Sequence, residues 1–214
     1  MKVYAMQGEY LSEITYIVTD GVKAVVIDPG TSANAILSAC KKLGVELVAV
    51  LLTHGHIDHT LGAFELQSKG FKVYAHKEEV PVLEGRAGLS LLLGLPQRDL
   101  HPDVLLEDGA VISLLDFPID VIFTPGHTQG GVCYLAEGAL FSGDTLFPGA
   151  YGRTDFPTGD EQDLICSICN VLFDLPKSTE VYSGHGDCST DVAPFAAQTT
   201  IGQEYSTNPI LHLL

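Results

Sequence analysis

The chain has 214 residues, of which 46% are hydrophobic and 18% are charged, a composition typical of a globular protein with a sizeable apolar core. Its 27 acidic side chains outnumber its 11 lysines and arginines, which gives a formal net charge of −16. A surface this acidic repels nucleic-acid phosphates and anionic lipid headgroups, so neither nucleic acid nor a membrane is expected as a partner.

The first half of the chain alternates predicted strands and helices. Short runs of β-branched and aromatic residues predict strands, a continuous apolar run predicts a buried strand, and apolar residues at helical spacing predict helices. Strands are predicted at 2–6, 14–19, 24–28, 47–53 and 71–75. Helices are predicted at 33–43, 60–69 and about 76–94.

From about residue 103 the pattern changes to short strands in succession. Candidate strands are DVLL, AVISL, DVIFT, GVCYLA and ALFSG, at 103–106, 110–114, 120–124, 131–136 and 139–143. Helices return at about 160–172 and 189–202. Two strand-rich halves that each bring helices pack most simply as two sheets face to face with helices outside. We therefore predict one domain, 1–214, of the α/β class with a four-layer α/β/β/α sandwich, although periodicity alone also fits other mixed α/β arrangements.

Four side chains of metal-ligand type directly follow the strand predicted at 47–53. They are His54, His56, Asp58 and His59, in the motif His-x-His-x-Asp-His. Two histidines two residues apart in an extended segment point to the same side, whereas Asp58 and His59 enter the next turn and point elsewhere. Imidazole and carboxylate together suit zinc, iron and similar ions. One loop could therefore serve two metals, and neutral core histidines are the less favoured alternative.

Three further ligand-type side chains lie after predicted strands, each beside a glycine. His127 stands in Pro-Gly-His-Thr after DVIF, Asp144 in Gly-Asp-Thr after ALF, and His185 in Gly-His-Gly after EVY. Glycine before a ligand allows unusual backbone angles and close approach, as a crowded metal centre requires. Each could be an ordinary turn residue by itself, but together they complete a ligand set.

These motifs, in this order, resemble the metallo-β-lactamase fold superfamily. The segment GDTLFPGAYGRTDFPTGD at 143–160 and Thr207-Asn208-Pro209 are similar to the short glyoxalase II-like hydrolases, also called hydroxyacylglutathione hydrolase-like proteins. The resemblance covers nearly the whole chain and implies the metallo-β-lactamase fold. Carried over position by position, it implies one metal held by His54, His56 and His127, a second held by Asp58, His59 and His185, and Asp144 bridging both.

A centre of this kind points to a hydrolase. Two divalent ions lower the pKa of water to about 7 and polarise a carbonyl oxygen, and they keep the site positive despite Asp58 and Asp144. The resemblance implies a small-molecule thioester substrate, S-2-hydroxyacylglutathione of the S-lactoylglutathione type, whose thiolate leaves with little acid assistance. Zinc is the expected metal, with iron and manganese as alternatives. Asp58 is the predicted catalytic residue, a ligand that also orients the attacking hydroxide.

Arg153 is the candidate substrate-binding residue. It lies nine residues after Asp144, and no other lysine or arginine occurs between Arg98 and Lys177. In glyoxalase II a basic residue of the corresponding loop contacts glutathione, and Arg153 resembles it by position. A salt bridge to Asp155 is the alternative interpretation. Only 29 residues follow His185, too few for the helical glutathione-binding domain of full-length glyoxalase II. This predicts a more open site, weaker glutathione recognition or another acyl thioester as the substrate.

Two other functions remain open at this point. A persulfide dioxygenase of the same superfamily would use one iron on His54, His127 and Asp144; Gly184-His185-Gly186 favours the hydrolase because it supplies a ligand for a second metal. A metal-binding scaffold without catalysis is the non-enzymatic alternative, and it has little support because every expected ligand is present.

The remaining candidate residues are interpreted as structural. Asp28, in a turn with Pro29 and Gly30, is expected to order the site loops at most. Cys166 and Cys169 lie within a predicted helix and are expected to be core thiols rather than a redox or zinc site. The other three histidines match none of the motifs and are expected outside the centre: His76, His101 and His212.

The N-terminal segment and the cysteines predict a cytoplasmic protein. Gly8 and Glu9 interrupt the first residues before an apolar run of signal-peptide length is reached. No later apolar run approaches the roughly 18 residues that span a bilayer. Five cysteines, an odd number in a chain of this size, favour reduced thiols. The sequence leaves the oligomeric state open.

Overall fold

Residues 1–87 and 100–213, which the computed structural model describes, contain two large β-sheets, a separate two-stranded sheet and the helices around them. The strands are β1 (Lys2–Gln7), β2 (Ile14–Thr19), β3 (Lys23–Ile27), β4 (Glu46–Leu51), β5 (Lys72–His76), β6 (Val104–Leu106), β7 (Val111–Ile112), β8 (Ile119–Phe123), β9 (Val132–Ala136), β10 (Ala139–Gly143), β11 (Leu146–Phe147), β12 (Ala150–Tyr151), β13 (Glu180–Ser183), β14 (Ala193–Pro194) and β15 (Thr199–Thr200). The α-helices are α1 (Ala33–Leu43), α2 (Ile57–Thr60), α3 (Ala63–Ser68), α4 (Val80–Leu83), α5 (Glu161–Cys166) and α6 (Ile201–Thr207). None of the helices in these described ranges has the length and apolarity needed to cross a bilayer.

The order of the strands brings several strand ends to one edge. The first sheet runs β14-β1-β2-β3-β4-β5-β6 and the second runs β15-β13-β10-β9-β8-β7. Strands β3 to β6 are parallel neighbours, and β10 is parallel to β13. Parallel neighbours end on the same side of a sheet, so the segments that follow β10 and β13 lie next to each other.

Alternating side chains divide the apolar core into three layers. In β2, Tyr16 and Val18 face the second sheet, whereas Ile17 faces the helices that cover the first sheet. In β10, Phe141 lies between the sheets and Leu140 packs against the residues of α5 and the C-terminal segment. This period of two is the pattern of strands buried on both faces. The predicted four-layer α/β/β/α sandwich is therefore confirmed.

The helix predicted at 189–202 is wrong. Ala193 and Pro194 form β14, which pairs with Ala5 and Tyr4 of β1, and β15 pairs with β13. Proline cannot occupy a helix interior without losing a hydrogen bond, but it is tolerated in an edge strand. A helix forms only afterwards, as α6.

Three other predicted helices differ in extent from the structure. The helix predicted at 60–69 is divided into α2 and α3 at Gly62, whose N–H donates to the carbonyl of Pro29. The helix predicted at 160–172 begins as α5 and continues as a π-helical turn, Ser167–Val171. Of the helix predicted at about 76–94, a 3₁₀ turn at Lys77–Glu79 and α4 are present, and residues 88–94 lie outside the described residues.

The segment after α6 holds the β11-β12 hairpin in place through one buried amide. The Asn208 side chain donates to the carbonyl of Ala150 at 2.9 Å and to the carboxylate of Glu204 at 2.8 Å, and its oxygen accepts the N–H of Ile210. Glu204 also accepts the N–H of Gly149. The hairpin leads directly into the loop that carries Arg153.

Replacing Asn208 by alanine is expected to lower the free energy of unfolding by about 1 to 3 kcal/mol, because buried partners are left without hydrogen bonds. Urea denaturation measures the change. Asn170 is exposed, so Asn170→Ala is a matched control with an expected change within about 0.5 kcal/mol. Equal stability of the two variants would show that the amide contacts contribute nothing.

Candidate metal centre

All seven predicted ligands meet at one edge of the sandwich, where strands of both sheets end. The first sheet contributes the segment after β4 and helix α2, and the second contributes the segments after β8, β10 and β13. The side chains fall into two clusters that share a carboxylate. We call His54, His56 and His127 the first cluster, and Asp58, His59 and His185 the second cluster, with Asp144 between them.

The first cluster brings three imidazoles together. Nδ1 of His56 lies 3.1 Å from Nε2 of His54 and 3.0 Å from Nε2 of His127. Oδ2 of Asp144 is 3.4 Å from Nε2 of His127. The four ligand atoms lie within 4.8 Å of one another, as expected for side chains that surround one ion.

The second cluster lies on the other side of Asp144. Nε2 of His59 is 3.2 Å from Nε2 of His185 and 3.7 Å from Oδ2 of Asp58. Asp144 reaches this cluster as well, at 3.4 Å from Nε2 of His59 and 3.2 Å from Nε2 of His185. Asp144 is therefore the side chain that can contact two ions at once.

Burial and neighbouring charges set the protonation of these groups. Burial lowers the pKa of His56 to about 3 and the pKa of His54 well below its ordinary value. Burial also opposes a proton on His59, but the surrounding aspartates, Asp144 first, raise its pKa well above the ordinary value. For Asp144 burial opposes ionisation, yet His59 and His185 hold its pKa well below the usual range. His54, His56 and Asp144 therefore favour the forms that bind a metal, neutral imidazole and ionised carboxylate. His59 favours its protonated form and would release a proton on binding a metal.

An unpartnered atom supports a metal at this place. Oδ1 of Asp144 is buried and has no hydrogen-bond partner among the described residues. A buried carboxylate oxygen without a partner costs free energy, and a cation between the clusters would satisfy it. The donor set of imidazoles and carboxylates likewise fits a divalent transition-metal ion.

Hydrogen bonds on the far side of the rings fix their orientation. Nδ1 of His127 bonds to the carbonyl of Arg153 at 2.8 Å, and Nδ1 of His185 bonds to the carbonyl of Leu11 at 2.9 Å. These bonds place the proton on Nδ1 and leave Nε2 free as a ligand. His56 instead faces its cluster through Nδ1.

Asp28 orders the site loops, as predicted. Its carboxylate accepts the N–H of Thr53 at 2.7 Å and contacts Nδ1 of His59 at 3.1 Å. Its ligand atom also lies close to those of His54 and His59, but the bonds from Thr53 already occupy the carboxylate. Asp28 has a φ of 49°, a left-handed backbone conformation in which its carboxylate accepts hydrogen bonds from these donors.

A cavity of about 330 Å³ opens onto both clusters. Its walls include the apolar side chains of Leu11, Phe147 and Phe156, and Arg153 lines it as well. The guanidinium of Arg153 stacks on Phe156 at 3.7 Å and makes a two-pronged ion pair with Asp155, with both contacts at 2.6 Å. Arg153 thus borders the cavity and also makes the predicted alternative salt bridge.

The residues expected outside the centre belong to neither cluster. His76 is buried, stacks on Phe123 and accepts the N–H of Glu78. Cys166 and Cys169 lie in α5 and in the π-helical turn. The expectation of core thiols is wrong for Cys166, which is exposed because Leu164 and Ile165 form the buried face of α5, and Cys169 is only partly buried. Sequence patterns missed two buried acids near the centre, Glu13 and Glu79, since neither belongs to a motif that marks it.

Comparison with known proteins agrees with this geometry. The sequence model of the metallo-beta-lactamase superfamily matches residues 12–185. Hydroxyacylglutathione hydrolase GloC of Haemophilus influenzae is 35% identical over 199 residues, which cover 90% of this chain and 89% of that protein.

Two solved structures are similar to this chain along nearly their whole length. The B3 metallo-β-lactamase BLEG-1 is 35% identical with a TM-score of 0.82, and the match covers 97% of this chain and 99% of that one. TTHA1623 in a di-iron-bound form is 33% identical with a TM-score of 0.78, and the match covers 96% of this chain and 98% of that one. On its sequence, its fold and the convergence of its histidines and aspartates, the chain belongs to the metallo-β-lactamase superfamily.

Proposed function

We propose that this protein is a dinuclear-metal hydrolase that cleaves a small-molecule thioester, with S-2-hydroxyacylglutathione of the S-lactoylglutathione type as the expected substrate. The observation that carries the proposal is the pair of clusters joined by Asp144. In this proposal the first cluster holds one divalent ion, the second cluster holds another, and Asp144 bridges them. A mononuclear iron dioxygenase would leave Asp58, His59 and His185 without a role.

Different residues of the site have different roles in the proposed thioester hydrolysis. Bound divalent ions would lower the pKa of water and polarise the substrate carbonyl. Asp58 borders the cavity, where its carboxylate would accept a hydrogen bond from the nucleophilic water and orient it. The apolar side chains that line the cavity would contact the acyl group. The thiolate that leaves needs no separate acid, so the described cavity residues are sufficient for the chemistry.

The relatives support this class of reaction and a choice of metals. The similarity to GloC, whose name is hydroxyacylglutathione hydrolase, favours a glutathione thioester. The di-iron form of TTHA1623 favours two metals and shows that a similar protein accepts iron, so we propose zinc first, with iron or manganese as alternatives. A cytoplasmic location fits the five cysteines, which are free thiols.

The decisive experiment combines metal content with substrate choice. Protein purified without chelators is analysed for metals, then saturated separately with zinc and with iron. Each form is assayed for S-lactoylglutathione cleavage, for β-lactam cleavage and for oxygen uptake with glutathione persulfide. Two metals per chain with thioester cleavage are expected. One tightly held iron with oxygen uptake, or metal binding without thioester cleavage, would overturn the proposal.

Replacing Arg153 by alanine is expected to raise KM for a glutathione thioester about fivefold, with kcat nearly unchanged. The effect is modest because the guanidinium is half exposed and shared with Asp155. A thioester of an uncharged thiol serves as the comparison substrate, and its KM should not change. Lys69→Ala removes an exposed charge from the end of α3 and is the control. An unchanged KM for the glutathione thioester would limit Arg153 to its pairing with Asp155.

A further inference from the structure

Glu79 is a buried acid next to the metal centre that the proposed chemistry does not use. It ends the 3₁₀ turn before α4, and its side chain is only 1% exposed. Its Oε1 accepts the N–H of Gly55 at 2.7 Å. Its Oε2 accepts the hydroxyl of Thr128 at 2.9 Å and the N–H of Gly130 at 2.9 Å. Three donors therefore converge on one carboxylate.

The three donors belong to two different ligand loops. Gly55 lies between His54 and His56, in the loop from the first sheet. Thr128 directly follows His127, in the loop from the second sheet. Glu79 thus connects the two loops whose imidazoles form the first cluster. The bonds that orient the second cluster come from other residues, Asp28 and Leu11.

Both loops approach Glu79 closely, and at Gly130 the approach leaves no space for a larger residue. A Cβ on Gly130 would collide with the backbone of Glu79, and a Cβ on Gly55 would lie 3.1 Å from Oε1 of Glu79 and 2.9 Å from Cγ1 of Val82. The close approach keeps the hydrogen bonds short on each side. Glu79 therefore packs directly against both loops, through its backbone at Gly130 and through its side chain at Gly55.

Keeping a carboxylate here has an energetic cost. Burial raises the pKa of Glu79 to about 7, although the bonds from Thr128, Gly55 and Gly130 lower it. No lysine or arginine pairs with Glu79 within residues 1–87 and 100–213. A buried carboxylate without a cation is unfavourable by itself, so its hydrogen bonds to the loops must offset the cost.

We propose that Glu79 is a positioning residue that sets the separation of His56 from His127 and thereby the metal affinity of the first cluster, while the second cluster is unaffected. The inference rests on the proposed dinuclear centre. Glutamine at this position keeps the size of the side chain but replaces one acceptor oxygen by an NH₂ group. That group would face the N–H of Gly55 or the donors on the second loop, so one of the two connections is lost.

The test is a metal titration of Glu79→Gln with cobalt(II) and with zinc in competition with a chromophoric chelator. Affinity at the step that fills the first cluster should fall about 10- to 100-fold, and the other step should match the wild type. The visible spectrum of bound cobalt shows which of the two clusters has changed its coordination of the ion. The thioester hydrolysis that Glu79→Gln loses at limiting metal should be restored by excess metal. Glu78 is exposed on the same turn, so Glu78→Gln is the matched control and should bind both ions as the wild type does.

Thr128→Val is a milder variant, to be used if Glu79→Gln does not fold. Thr128→Val removes one of the three donors and is expected to weaken binding at the first cluster severalfold. Wild-type affinity at both steps in Glu79→Gln or Thr128→Val would overturn the role of Glu79. Absence of thioester cleavage by the fully loaded wild type would instead overturn the proposed substrate and leave the comparison of metal affinities intact.

Discussion

Replacing Asp144 by alanine is expected to lower kcat/KM for thioester hydrolysis by about 10³-fold or more. Asp144 lies within 3.4 Å of His127 in the first cluster and of His59 in the second, so its loss removes a ligand from both proposed ions. Metal-dependent stabilisation of a transition state amounts to several kcal/mol, and each 1.36 kcal/mol is about a factor of ten in rate. Steady-state kinetics with metal analysis on the same samples measures the effect.

The control for this substitution is Asp174→Ala, the same chemical change at an exposed position after the π-helical turn. It should keep wild-type kinetics and two metals per chain. Circular dichroism establishes whether both variants are folded. A folded Asp144→Ala protein with wild-type turnover and normal metal content would refute the bridging role.

Replacing Gly184 by alanine is expected to reduce hydrolysis about 100-fold, although Gly184 is not itself a ligand. The added methyl group would collide with Oδ1 of Asp144 and lie 2.8 Å from Cε1 of His59. One of these side chains must move, and a displacement of about 1 Å at reacting groups can cost about 10²-fold in rate. We expect fewer than two metals per chain in the same protein, measured by elemental analysis.

Gly138 provides the control for an added methyl group. It lies in the turn between β9 and β10 with a φ of 81°, and a Cβ there would meet no atom within 4 Å. Gly138→Ala is therefore strained by about 1 kcal/mol or more but does not touch the centre. It should be less stable and fully active. If Gly184→Ala kept both metals and normal activity, the packing around Asp144 would be looser than the structure indicates.

The side chains of the site were predictable because each stands in a short motif after a strand. His54, His56, Asp58 and His59 are close in sequence, and the glycines beside His127, Asp144 and His185 mark strand ends. Strand ends meet at the edge of a sheet, so local patterns sufficed to place these residues together. The layers of the fold were predictable because each strand-rich half of the chain brings its own helices, and such halves pack most simply as two sheets with helices outside.

Features that depend on long-range contacts could not be predicted in this way. Glu79 follows Lys77 and Glu78 in a charged run that is typical of a surface, yet contacts with two distant loops bury it. The ligand atom of His56 depends on the arrangement of the rings around it. The segment 189–202 has helix-forming alanines, but pairing with β1 and β13 overrides this local preference.

Each proposed metal position has ligands from both sheets, so metal binding would stabilise the packing of one sheet on the other. His54 and His56 extend from the first sheet and His127 from the second, while His185 of the second sheet meets Asp58 and His59 of the first. An ion held by such a set is released when the sheets separate. The free energy of unfolding therefore rises with the concentration of free metal, by about 2.7 kcal/mol per site at 100 times the dissociation constant. The supply of metal would thus govern how long the chain survives heat and proteases, independently of any substrate.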